Sequence, residues 1–173
     1  MRRGAWRAVV LALCACAGGA HALEGTVTRV SDGDTLWVRP LDGARPVKVR
    51  VQGIDAPESC QPWGREAKLA LQALVQGQVV RLDRDGLRDE HGRLLGRLLR
   101  GDEDIGARLV REGHAWSHRW RRDGGPYLIE EVDARSARRG LFADPRAVHP
   151  RDFRRRHGPC DAARAEVSAA PAR

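Results

Sequence analysis

The chain has 173 residues and a formal charge of +8, with 31 Lys and Arg set against 23 Asp and Glu. That length suits one domain with a single modest core and sets aside a multidomain assembly. The charge favours a polyanionic partner, and the longest apolar run is too short to span a bilayer, which sets aside an integral membrane protein.

Among the basic residues only Lys48 and Lys68 are lysine. Arginine presents a planar fork of donors that grips phosphate through two bonds at once. A base-composition bias in the gene would give the same usage, so the charge is weak evidence by itself.

Residues 1–22 read as a cleaved secretory signal. Arg2, Arg3 and Arg7 form a basic start, residues 8–17 an apolar run, and Ala20-His21-Ala22 a small-residue cleavage site before Leu23. Lipid attachment at Cys16 is disfavoured by the Leu13-Cys14-Ala15 approach. Cleavage removes three arginines and no acids, lowering the charge from +8 to +5. It also removes Cys14 and Cys16, leaving Cys60 and Cys160. Two cysteines in an exported protein read as one disulfide, the alternative being two free thiols. The bond would close a loop of about 100 residues and tie the tail to the turn after Glu58. The destination is the periplasm or the outside of the cell.

Residues 24–30 form the first strand, with Val27 and Arg29 on one face and Thr28 and Val30 on the other. Ser31-Asp32-Gly33 turns the chain, with Gly33 free to take positive φ, and a second strand runs from Thr35 to Arg39. After a Pro- and Gly-rich turn, Val47, Val49 and Val51 point one way and Lys48 and Arg50 the other in a third strand, completing an antiparallel meander. Residues 62–75 are a helix with Ala67, Ala70, Leu71 and Leu74 on its inner face. Residues 78–83 and 93–100 are further strands around an exposed loop. Asp102 or Asp104 caps a short helix through Ile105, Leu109 and Val110, stopped by Gly113. Residues 114–123 are irregular, with Trp116 and Trp120 serving as barrel cover or, for Trp120, as a base-stacking surface. Pro126 opens a last helix ending at Gly140, and Leu141 and Phe142 tuck back. Residues 146–160 are a basic tail, and residues 161–173 are Ala-rich and disordered. Strands, helix, strands and helices in that order give an α+β, mainly β, chain: a five-stranded OB-type Greek-key barrel with about three helices.

The chemistry gathers between Ser31 and Glu58. Asp34 and Asp55 can meet at the ends of neighbouring strands, with the Ala56 carbonyl beside them, and a hard cation such as Ca²⁺ takes such oxygen ligands. Glu58 could serve as a general base, and Arg50 and Arg93 could donate to phosphoryl oxygens. Asp32 is a supporting or turn residue. Singly, each group has a bland reading: a turn aspartate, a surface ion pair, a solvated strand end. Together they suit phosphodiester hydrolysis.

Val30-Ser31-Asp32-Gly33-Asp34-Thr35 and Arg50-Val51-Gln52-Gly53-Ile54-Asp55-Ala56-Pro57-Glu58 are followed by Gly64-Arg65-Glu66-Ala67 and Asp89-Glu90-His91-Gly92-Arg93. Then come Leu109-Val110-Arg111-Glu112-Gly113-His114-Ala115 and Arg139-Gly140-Leu141-Phe142. In this order the motifs resemble the staphylococcal-type thermonuclease family over about residues 24–145. The resemblance implies an OB barrel acting as a Ca²⁺-dependent nuclease on DNA and RNA that leaves 3′-phosphate ends. It implies Asp34, Asp55 and the Ala56 carbonyl as metal ligands, Arg50 and Arg93 as phosphate-binding catalytic groups, and Glu58 as the base or water-orienting group. The family's stacking tyrosines are replaced around His118 and Trp120, and His91 lies in the loop that would meet phosphate beside the acid Glu90. A monomer is expected. The contrasting reading is a non-catalytic OB module that binds single strands or scaffolds a partner, and a further one is anchoring through the basic tail.

Overall fold

The computed structural model describes residues 22–83, 86–119, 123–158 and 160. Trp120, residues 1–21 of the expected leader and the expected disordered residues 161–173 lie outside the described residues. The first three strands, β1 (Ala22–Val30), β2 (Thr35–Pro40) and β3 (Val47–Val51), form the expected antiparallel meander. After a two-residue strand, β4 (Ile54–Asp55), and the helix α1 (Gly64–Val75), the strand β5 (Val79–Asp83) pairs with the other edge of β1. The next strand, β6 (Leu94–Arg100), pairs antiparallel with β5 and then parallel with β3, so β3–β2–β1–β5–β6 closes on itself. This is the expected five-stranded OB-type barrel. Closure leaves no long free edge for another chain to extend.

The valine pattern explains the interior. Leu36, Val38, Val49, Val51, Leu82 and Leu98 are fully buried. Leu71 and Ala67 of α1 pack against them from one end. The strand β7 (Glu103–Asp104) leads into α2 (Ile105–Arg111), whose first turn is capped by Asp104 accepting from the Ala107 amide at 3.0 Å. A short strand, β8 (Trp116–Ser117), pairs antiparallel with β4, and α3 (Leu128–Ser136) packs on α2. Trp116, Ala134, Leu141 and Phe142 form a small second cluster, so Trp116 is cover for the fold. Among the described residues no helix is long and apolar enough to cross a membrane.

Four local expectations change. The alternation in β1 is broken by a register shift between Val27 and Arg29, which buries both Val27 and Val30 and turns Arg29 outward over the Trp37 ring; an extra residue in one strand has that effect. Helix α1 starts at Gly64 rather than 62 because Trp63 takes a left-handed φ of 72°. Gly33 is needed for closeness rather than for positive φ: a Cβ there would sit 2.7 Å from the Ala56 side chain and 2.8 Å from that of Ala67. Helix α3 ends at Ser136, and Gly140 opens a separate 3₁₀ turn. The largest addition is α4 (Pro150–His157), where the sequence suggested only a basic tail.

Candidate active site

A cleft of about 1210 Å³ opens where β3, the β4 turn, the loop before β6 and α4 come together. Six of the expected site residues line it beside Ala56: Asp34, Arg50, Asp55, Glu58, His91 and Arg93, with His118 at the rim. The barrel does the gathering. Antiparallel pairing sets Thr35 opposite Arg50, and parallel pairing sets Arg50 opposite Leu95, close to Arg93.

Arg50 faces away from the core valines, as its strand position requires, and binds the turn that follows. Its Nη1 donates to the carbonyls of Val51 (3.2 Å) and Ile54 (3.1 Å), and its Nη2 donates to Asp55 Oδ1 at 2.6 Å. The same Nη2 lies 3.5 Å from Asp34 Oδ2. Burial works against the Arg50 charge, but Asp34 and Asp55 outweigh it and hold the guanidinium above its ordinary value. Burial likewise works to raise Asp55, but Arg50, then His118 and His149, hold it below the usual carboxylate range.

Asp34 sits on a turn made by its neighbours. Its amide donates to Asp32 Oδ1 at 3.1 Å, its Oδ1 accepts from Thr35 Oγ1 at 2.9 Å, and its Oδ2 accepts from the Ala56 amide at 3.3 Å. Asp32 lies behind it, pushed up to about 6 by burial and by the Asp34 charge. Asp34 and Asp55 thus bring carboxylate oxygens together around Arg50 Nη2, donors of the kind a hard cation takes. Among the described residues no group of three Asp, Glu, His or Cys side chains is placed to hold a metal ion by itself.

Arg93 is organised by Asp89. The Asp89 carboxylate accepts from the amides of His91 (3.0 Å) and Arg93 (2.9 Å) and from Arg93 Nε (2.7 Å), while Arg93 Nη1 donates to Thr35 Oγ1 at 3.1 Å. Arg93 is thus linked through Thr35 to Asp34. The role of Asp89 was invisible in the sequence, although its spacing, four residues ahead of an arginine in a Gly-containing loop, marks it as a turn residue that can reach forward.

Glu58 is the residue whose surroundings the sequence misses. Its Oε1 pairs with Arg154 of α4, and its amide donates to Gln61 Oε1 at 3.2 Å. Gln61 in turn donates to the Val148 carbonyl at 2.5 Å, fastening the segment before α4 to the Glu58 turn. Cys60 and Cys160 lie with Cα atoms 5.6 Å apart, a separation a disulfide spans. The signals for α4 were present: Pro150 at the first helical position, Asp152 in the first turn and Arg154, Arg155, Arg156 and His157 in the last.

The three side chains expected to meet the substrate fare differently. His91 is exposed on the cleft wall. His118 Nδ1 lies 2.8 Å from Asp55 Oδ2, so one edge of its ring is held by a candidate ligand while the side chain stays 47% exposed at the cleft. Trp120 lies outside the described residues. His149, which sequence reasoning passed over, sits 3.6 Å from the same Asp55 oxygen and against the Trp116 ring at 5.4 Å.

An OB barrel with an acid pair, two arginines and a glutamate in one cleft defines a class of protein built to handle phosphodiesters. The family model described as staphylococcal nuclease homologue matches residues 48–144. Protein ParB of Escherichia coli is 38% identical over 160 residues, covering 86% of this chain and 89% of its own. A protein named micrococcal nuclease from Shigella flexneri is 36% identical over 144 residues, covering 76% and 80%. An uncharacterized endonuclease of Haemophilus influenzae is 35% identical over 129 residues, covering 75% and 71%. The chain belongs to the staphylococcal nuclease family.

Proposed function

We propose that this protein is a Ca²⁺-dependent endonuclease that hydrolyses phosphodiester bonds of DNA and RNA and leaves 3′-phosphate ends. The observation that carries the reading is the meeting of Asp34, Arg50, Asp55, Glu58 and Arg93 around one cleft. Family membership and relatives named nuclease and endonuclease support it.

The chain's own groups divide the work. Asp34, Asp55 and the Ala56 carbonyl would hold the ion, which when bound polarises a phosphoryl oxygen. Glu58 Oε1 is engaged by Arg154, and its second oxygen takes a proton from the attacking water. The water oxygen bonds to phosphorus, the P–O5′ bond breaks, and the 5′ oxygen leaves and takes up a proton from solvent water. Arg93 uses Nε and Nη1 on Asp89 and Thr35, and its Nη2 is directed to charge growing on the phosphoryl group. Arg50 uses Nη1 on two carbonyls and one Nη2 hydrogen on Asp55, and its remaining hydrogens serve the phosphate.

End-group analysis tests the product. The expected fragments carry 5′-hydroxyl and 3′-phosphate ends and prime DNA synthesis only after phosphatase treatment. Fragments with 5′-phosphate and 3′-hydroxyl ends would contradict the reaction as written.

Export and the disulfide belong to the same proposal. The basic, apolar and small-residue segments at the start of the chain support export, and the juxtaposition of Cys60 and Cys160 supports the bond. A peptide map of exported protein, without reductant, should show the two cysteine peptides joined.

A further inference from the structure

The candidate active site leaves α4 with more cation than Glu58 needs. Arg151, Arg154 and Arg155 all line the cleft, while Phe153 and His157 line an apolar groove on the other side with Trp63 and Leu141. Residues four apart share a helix face, so Arg151 and Arg155 stand about 6 Å from each other along the axis.

We propose that α4 is a phosphate-binding wall of the cleft: Arg151 and Arg155 take backbone phosphates of a nucleic-acid strand on the Glu58 side, while Arg154 positions Glu58. The proposal rests on the nuclease reading and deepens it by assigning a substrate contact to a helix beyond the matched residues 48–144.

Three observations separate this wall from a merely solvated basic helix. First, the helix is fastened to the site. Gln61 holds the Val148 carbonyl, the His149 ring packs on Trp116, and Cys160, buried, lies against Cys60 two residues past Glu58. Second, its faces are sorted, with Pro150 buried and Phe153 half-buried and stacked on His157 at 4.7 Å, which turns the arginines toward the cleft. Third, the ion pair of Arg155 gives way readily. Among the described residues Arg155 pairs with Asp152 alone, at 3.2 Å, with the Arg155 side chain 72% exposed. An ion pair that open is worth little in water, so a phosphate displaces it at small cost. Opposite α4, the His91 side of the cleft is mixed in charge, with Asp89 and Glu90 beside Arg93. The helix supplies the more strongly basic wall.

The test is binding of a fluorescein-labelled thymidine oligonucleotide, followed by anisotropy in chelator at stepped salt. It compares the full mature protein with the double variant Arg151→Gln/Arg155→Gln. Two lost contacts to a single strand should lower the salt slope by about 1.4 and weaken binding by about tenfold at low salt. Arg45→Gln, which removes an exposed charge outside the cleft, should keep the slope. An unchanged slope in the double variant, with binding otherwise intact, would overturn the proposal and leave the nuclease reading standing. An equal loss in Arg45→Gln would also overturn it, since net charge would then explain the effect. Failure of the unaltered protein both to bind the oligonucleotide in chelator and to cleave it with Ca²⁺ would remove the nuclease reading and this wall together.

Discussion

Glu131→Ala is expected to be among the most damaging single changes to the fold, although Glu131 lies on α3 outside the catalytic set. Its carboxylate is fully buried. It accepts from the Ser117 amide at 2.9 Å, from Arg119 at 2.5 Å and from Arg135 at 2.8 Å. Ser117 belongs to β8, which pairs with β4, and β4 carries Asp55. Truncation strands the buried Ser117 amide and releases both arginines. Breaking a buried pair costs about 3–5 kcal/mol. Arg119 and Arg135 are both near half exposed and can turn to water, which places the cost near the lower end, about 3 kcal/mol. For a domain of this size that lowers the melting temperature by roughly 10 °C. Glu131→Gln keeps an acceptor for Ser117 and should lose about half as much. Thermal unfolding followed by circular dichroism checks both. A Glu131→Ala protein within about 1 kcal/mol of the parent would refute the view that this network holds β8 in place.

Arg93→Lys should lower kcat by about 10²-fold or more while the protein stays folded, because a lysine lacks the fork that serves Asp89, Thr35 and phosphate together; near-normal kcat would remove Arg93 from the catalytic set. Gly140→Ala should destabilise by more than about 2 kcal/mol, since φ is 54° there and a Cβ would lie 2.2 Å from the Gly113 carbonyl oxygen; urea titration measures it, and a neutral result would contradict the backbone contact. Acid should weaken the fold partly through His114, which burial pushes below its ordinary value of 6.5 and whose Nδ1 accepts from the Trp63 indole. The folded state then binds fewer protons than the unfolded chain, so this contribution is complete above pH 6.5 and is lost as pH falls below it. Urea midpoints at pH 7.5 and 5.5 should differ less in His114→Gln than in the parent, and an identical difference would contradict the assignment.

Strands and helices whose signal was periodic were legible in the sequence. The valines of β3 announced both the core and the outward course of Arg50, and the Leu and Ala spacing of α1 announced its inner face. The bulge in β1 was not legible, because one extra residue is invisible to a two-residue period. The start of α1 was misplaced because Trp63 adopts a backbone conformation that its side chain does not advertise. In the site, the residues inside short motifs were found, but their supports were not. Asp89 was quoted without a role, and Glu131, His149 and Gln61 act across long sequence separations that no local pattern encodes. Gly113 and Gly140 stood in separate motifs, and only the fold shows why: the Leu141 amide donates to the Gly113 carbonyl at 2.9 Å, with the two backbones in contact. A run of arginines concealed α4, since composition suggested a solvated tail while Pro150 and the order of charges pointed to a helix.

The central claim, that Glu58 and the acid pair beside it make this barrel a metal-dependent nuclease, is tested most directly by digestion of plasmid DNA. Mature protein is assayed with Ca²⁺ or with chelator, beside Glu58→Ala. The account predicts cleavage with Ca²⁺, none with chelator, and a loss of about 10²–10⁴-fold in the folded variant. Cleavage that persists in chelator, or that Glu58→Ala leaves unchanged, would contradict it.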